Sequence, residues 1–101
     1  MITGSAPIAK EVVNFLKLAF CTQIREGYGQ TESAGALTVS WTYDPEAAHV
    51  GAPNPSVELK LIDVPDMNYR STDGEESGHP IPRGELLYRG HSVCKGYYRQ
   101  P

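Results

Sequence analysis

The 101-residue sequence contains only 2 cysteines, Cys21 and Cys94, and they form no CxxC pair. Neither a zinc site nor a disulfide framework follows from them, and a reducing compartment suits such a chain best. No apolar run approaches the roughly 20 residues of a membrane-spanning helix, and Met1-Ile2-Thr3-Gly4 lacks a basic stretch ahead of an apolar one. No transmembrane segment and no targeting address are legible. Excess positive charge is missing too: 9 Lys and Arg stand against 12 Asp and Glu, for a net charge of -3. With no basic patch to neutralise phosphates along a backbone, nucleic acid is not an expected partner. Internal repeats are absent. What remains is 40% hydrophobic and 21% charged, the size of one small globular domain. Val12-Val13, Phe15-Leu16 and the stretch from Val57 to Val64 offer material for a core.

The order of local signals predicts an α/β beginning followed by a β-rich part. Met1-Ile2-Thr3 reads as the tail of a strand, and Gly4-Ser5-Ala6-Pro7 as a turn with proline suited to a first helical turn. Apolar residues at Ile8, Val12, Phe15-Leu16 and Ala19-Phe20 then make one helix face. Thr22 to Glu26 is expected as a short strand, Gly27-Tyr28-Gly29 as a turn, and Thr31-Glu32-Ser33 as the start of a second helix. From Gly51-Ala52-Pro53-Asn54-Pro55 the pattern changes. Val57, Leu59 and Leu61 alternate with Glu58 and Lys60, the period of a half-exposed strand. Residues 66–83 are rich in Asp, Asn, Ser, Gly and Pro and read as a long surface loop, and a strand is expected over Glu85 to Arg89. The division expected is an α/β part at residues 1–48 and a β-rich part at residues 49–101. The chain ends at Gly96-Tyr97-Tyr98-Arg99-Gln100-Pro101 without a closing element, so an internal piece of a longer protein is expected.

Chemistry concentrates in Glu26-Gly27-Tyr28-Gly29-Gln30-Thr31-Glu32. Gly27 and Gly29 permit positive φ and carry no Cβ to hold a ligand off the backbone, and Tyr28 offers a flat face to a base. Thr31 can donate its hydroxyl to a phosphate oxygen, and Glu32 supplies the hard carboxylate oxygen that Mg²⁺ takes alongside phosphates and water. Amides at the start of the expected helix would add favourable potential for an anion. By local chemistry alone, a tight turn with a packed aromatic, followed by an ordinary helix start, accounts for the same residues more simply.

Four ordered blocks go further. Thr3-Gly4-Ser5-Ala6-Pro7, then Glu26 to Glu32, then Val50-Gly51-Ala52-Pro53, and Gly84-Glu85-Leu86-Leu87-Tyr88-Arg89-Gly90 with Lys95-Gly96-Tyr97-Tyr98 resemble the adenylate-forming (AMP-binding) superfamily. A YGxTE pattern alone arises by chance in roughly one chain of this length in a thousand. The resemblance runs along essentially all of the chain. His49-Val50-Gly51-Ala52-Pro53, Ile62-Asp63-Val64 and Asp66-Met67-Asn68-Tyr69 resemble the long-chain fatty acyl-CoA synthetases in particular.

The resemblance implies the end of an α/β layered AMP-binding subdomain followed by part of a β-rich subdomain. It implies a parent enzyme that joins a long-chain fatty acid to ATP as an acyl-adenylate, releasing pyrophosphate, and then passes the acyl group to coenzyme A (CoA). Gly4, Ser5 and Ala6 would lie beside the adenine and the acyl chain, and Glu26, Gly27, Tyr28 and Gly29 around the nucleotide. Thr31 would touch the α-phosphate, and Glu32 would hold Mg²⁺. Ser5 stands where many members carry glycine. The family's Ser/Thr/Gly-rich phosphate loop with its lysine, ribose aspartate, hinge and small C-terminal domain are not in this chain, so the chain alone is expected to be inactive. The remainder of the parent chain is then its first partner. For that parent the resemblance implies an intracellular setting at the endoplasmic reticulum, peroxisome or mitochondrial outer membrane.

Other reactive residues are read plainly. Glu85 suits a solvated strand start, His49, His79 and His91 lack metal-ligand spacing, and Cys94 beside Lys95 has no general base implied by the sequence. Two alternatives stay open: a free-standing nucleotide- or protein-binding module without catalysis, and a ligase for medium-chain or aromatic acids.

Overall fold

The computed structural model describes residues 1–100, with the side chain of Glu76 outside the description. Pro101, the last residue of the terminal run noted above, also lies outside the described residues. The chain divides into two compact units: Met1–Val57 with the segment from Gly90 onward, and Glu58–Arg89.

In the first unit, β1 (Ile2–Thr3) leads through a loop to α1 (Lys10–Ala19), which returns the chain to β2 (Arg25–Gln30). β1 pairs parallel to β2, Ile2 opposite Arg25 and Thr3 opposite Glu26. Such pairing requires a crossover, and α1 supplies it. The helix starts three residues after Pro7, at an Ala9 cap that makes no side-chain bond, so proline is not in its first turn. Glu11 in the first turn and Lys17 in the last complement the helix dipole. Cys21, at φ 48°, closes the helix in the left-handed conformation more often filled by glycine.

Val13 is the fully buried residue of α1 and packs with Ile24 and Ala47, flanked by Ile8 and Leu16. Removing a side chain such as Val13 from water contributes about 1.5–3 kcal/mol. The expected apolar face is thus only partly used. Val12, Phe15, Leu18 and Phe20 stay exposed because the core offered by Ile24 and Ala47 covers one edge of the stripe.

β2 then pairs antiparallel with β3 (Gly35–Val39), which in turn pairs antiparallel with β4 (Ala52–Pro53), giving the order β1-β2-β3-β4. The expected strand over Thr22 to Glu26 therefore lies further along, and Gly27-Tyr28-Gly29 is strand rather than turn. Thr31–Ser33 forms one 3-10 turn that ends in Ala34 at φ 56° and leads directly into β3. No second α-helix opens there, so the anion potential expected from it is absent. Tyr28 faces Thr38 and Gly29 faces Ala36, which leaves Leu37 as an extra residue on β3. This bulge puts Leu37 and Thr38, neighbours in sequence, both inside.

In the second unit, β5 (Val57–Ile62) and β6 (Glu85–Gly90) form a two-stranded sheet whose first and last residues belong to the first unit. The alternation of β5 is as expected, Leu59 and Leu61 half-buried and Glu58 and Lys60 exposed. Between these strands come 3-10 turns at Pro65–Met67 and Glu75–Ser77 and a bridge between Val64 and Tyr69. The loop is well tied. Asp63 accepts bonds of 2.7 Å from both the amide and the hydroxyl of Ser71. Buried Asp73 accepts the Arg83 Nε at 2.9 Å, while the same guanidinium lies 4.8 Å from the Tyr69 ring centre.

Candidate functional site

The first unit carries a cavity of about 370 Å³, walled by the loop after β1, by β2, and by residues 48–50. Its size suits a small organic ligand. Gly4, Ser5, Ala6, Glu26, Gly27, Tyr28 and Gly29 all line it. A shallower groove of about 760 Å³ shares Gly4, Ser5, Gly27, Tyr28 and Gly29 and extends to Thr31. Residues as far apart in sequence as Thr3 and Val50 are thus gathered at one place. Glu32 lines neither cavity.

The glycines act differently from expectation. Neither Gly27 nor Gly29 has a positive φ. A Cβ on Gly29 would fall 2.1 Å from the Gly35 carbonyl oxygen, and one on Gly4 would fall 2.8 Å from that of Gly27. The missing side chains make room for neighbouring backbone first. The sharp turn after β2 demands the approach at Gly29, and the parallel pairing of β1 with β2 demands the one at Gly4.

Glu26 belongs to the cavity wall and also builds it. Its amide donates to Ser40 Oγ at 2.9 Å, and its Oε1 accepts the Ala48 amide at 3.0 Å. Ala48 sits at φ 70°, and His49 forms an ion pair of 3.2 Å with Asp44 when protonated. His49 Nδ1 also accepts the Gly51 amide at 3.2 Å. The wall formed by Ala48, His49 and Val50 was missed in the sequence, although the Glu26 that orders it was singled out. His49 shapes the wall through short-range contacts, and His79 and His91 are exposed.

Tyr28 is half-buried, and its hydroxyl accepts the Gln30 side-chain amide at 3.0 Å. Ser33 is buried and holds the turn together: its Oγ accepts the Gln30 amide at 3.0 Å and donates to Gln30 O at 2.8 Å. Glu32 is held at both ends. Its carbonyl accepts the Cys94 amide at 2.8 Å, and its Oε1 accepts a hydrogen bond from the Tyr97 hydroxyl. That Tyr97 bond, then the amide of Glu32 itself, outweigh the opposing desolvation and hold the carboxyl below the usual carboxylate range. Tyr97 is a further residue to which the sequence assigned no role, only a place in the block Lys95-Gly96-Tyr97-Tyr98.

No group of three or more His, Cys, Asp or Glu that could hold a metal occurs among the described residues. An all-protein metal cage is therefore not built by them. A single ionised carboxylate nevertheless fits Mg²⁺, which commonly takes one or two protein carboxylates and completes its shell with phosphates and water.

The profile described as AMP-binding enzyme matches residues 1–98. The chain belongs to the AMP-binding enzyme family. Among curated members, Fatty acyl-CoA synthetase A of Dictyostelium discoideum is 44% identical over 101 residues, all of this chain and 14% of that protein. Long chain acyl-CoA synthetase 7, peroxisomal, of Arabidopsis thaliana is 43% identical over 98% of this chain and 13% of its own length. The chain thus spans about a seventh of these relatives. The adenylation (A) domain of a carboxylic acid reductase from Segniliparus rugosus, solved with AMP and a co-purified carboxylic acid, superposes over 99% of this chain and 14% of that one. Its TM-score is 0.73 at 36% identity. The α/β architecture expected from the sequence is accordingly that of AMP-binding adenylation domains. No helix among the described residues is long and apolar enough to cross a membrane.

Proposed function

We propose that this chain is part of the adenylating domain of an ATP-dependent long-chain fatty acid:CoA ligase, contributing one wall of the nucleotide site and one Mg²⁺ ligand. The observation that carries the reading is the 44% identity to a fatty acyl-CoA synthetase along the whole chain, with Glu26 to Thr31 lining the same cavities as Gly4 and Ser5. Gly4, Ser5 and Ala6 border the adenine and the acyl chain, and Glu26 holds the opposite wall through Ala48. Gly27 and Gly29 keep the backbone low, Tyr28 stacks on the base, and Thr31 donates its hydroxyl to the α-phosphate.

Glu32 is the residue that would hold Mg²⁺, which when bound withdraws charge from the phosphates. What the chain itself does is keep that carboxylate ionised and in place. Fatty acid, ATP and CoA are the substrates of the intact enzyme, and the rest of the parent chain supplies the phosphate loop, ribose aspartate and catalytic lysine. In the parent enzyme the parts at residues 1–48 and 49–101 belong to two subdomains, a division that differs from the two compact units of this chain. An intracellular organelle is the setting, a reading supported by the peroxisomal name of the Arabidopsis relative.

The test is pyrophosphate exchange in the full-length protein that carries this segment. Exchange that depends on a long-chain saturated fatty acid, prefers it to benzoate, and falls on the order of a hundredfold in Thr31→Ala and Glu32→Gln is expected. Preference for benzoate would replace the substrate class, and no exchange with any acid would end the ligase reading.

A further inference from the structure

Glu32 and Tyr97 lie 65 residues apart, yet the segment after β6 is brought to the turn after β2 by two bonds to one residue. The Cys94 amide fixes the Glu32 carbonyl at 2.8 Å, and the Tyr97 hydroxyl donates to Glu32 Oε1. The other side of the turn is held by buried Ser33, whose single hydroxyl proton is shared between Gln30 O at 2.8 Å and Gly35 O at 2.6 Å. Backbone on both sides of Glu32 is therefore pinned before its side chain is considered. A glutamate on such a turn would still sample several rotamers in solvent, and a donor to one oxygen removes that freedom.

Resting on the ligase reading above, we propose that Tyr97 is a positioning residue for the cation-binding carboxylate of Glu32. Its hydroxyl occupies Oε1 and fixes the orientation of the carboxylate, so that a hard oxygen is presented to the divalent cation that accompanies the nucleotide. Groups that orient a metal ligand in this way commonly weaken metal binding 10–100-fold when removed. Tyr97 is more than half exposed, so the hydroxyl can be deleted without hollowing a core.

The experiment measures Mn²⁺ binding by electron paramagnetic resonance in the full-length protein with a non-hydrolysable ATP analogue, comparing the unsubstituted enzyme with Tyr97→Phe and Glu32→Gln. Both variants are expected to weaken Mn²⁺ binding by roughly tenfold or more. Affinity for the analogue without metal should stay unchanged, and excess Mg²⁺ should restore turnover in Tyr97→Phe. Wild-type Mn²⁺ affinity in Tyr97→Phe alongside weakened binding in Glu32→Gln overturns the role of Tyr97 and leaves the ligase reading standing. Wild-type affinity in both variants overturns the positioning role together with the assignment of Glu32 as a metal ligand. Loss of metal-free analogue affinity in Tyr97→Phe assigns the residue to structure and also overturns the proposal.

Discussion

Ser5 has a φ of 71°, in the left-handed region where the Cβ of an L-residue crowds the following carbonyl. Ser5→Gly relieves that strain, partly offset by the greater freedom of glycine in the unfolded chain, and should stabilise the protein by up to about 1 kcal/mol. Ser5→Val should destabilise it by about 1–2 kcal/mol, because a branched Cβ fits that region worst. Urea unfolding curves for the two variants check both signs, and a loss of stability in Ser5→Gly would contradict the argument. The backbone angle explains why glycine would suit this position. At Gly27 and Gly29 the sequence signalled a need for small residues without saying what they admit. Only the facing Gly35 and Thr38 carbonyls, near where a Cβ would stand, supply that answer.

The β2 and β3 hairpin depends on a close crossing that no single strand encodes. Gly29→Ala would drive a methyl group into the Gly35 carbonyl and Ala36 Cα, where an added Cβ lies at 2.1 and 2.8 Å. A backbone neighbour cannot swing away as a side-chain tip can. The cost should be at least about 2 kcal/mol, with faster amide exchange through β3 as the local readout. β5 was legible because alternation is a two-residue period, and β6 because Gly84 and Gly90 bound a short run of strand-forming residues. β3 was not, since the bulge at Leu37 breaks the alternation by which a strand is recognised.

The loop between β5 and β6 answers to pH. Amide and hydroxyl bonds from Ser71 hold Asp63 below the ordinary carboxylate range. Burial pushes Asp73 the other way, but bonds from Arg83 and the Arg70 amide, with the Arg83 charge, leave it lowered as well. Because both folded-state values lie below the unfolded ones, the stabilisation is full above about pH 4 and is lost as pH falls through the folded values. Amide exchange at Ser71 and Asp73 should therefore open on acidification below pH 4 and stay flat from neutral down to that point. Opening that begins near pH 6 would point to a different group.

At the scale of the whole chain, apolar surface exceeds what the core can cover. Phe15 is 66% and Leu18 82% exposed on the outer face of α1. Prepared as these 101 residues, the protein should self-associate with rising concentration, since an exposed apolar helix face favours burial against another copy. Sedimentation should show the larger species giving way to monomer in a Phe15→Ser, Leu18→Lys double variant. A monomer for the unsubstituted chain at every concentration would refute this.

Family membership was determined by the sequence alone, because the residue types of a motif and their order along the chain are linear properties. The period-two strand β5 and the polar composition of the loop after it belong to the same class. Tertiary structure decided which of those residues meet. Glu26 orders Ala48, Arg83 holds Asp73, and Tyr97 reaches Glu32 through contacts spanning 22, 10 and 65 positions. No local period links such pairs. Their meeting depends on the crossover by α1, the folding back of the loop between β5 and β6, and the return of the chain after β6, each stabilised by hydrogen bonds and packing that exist only in the folded molecule.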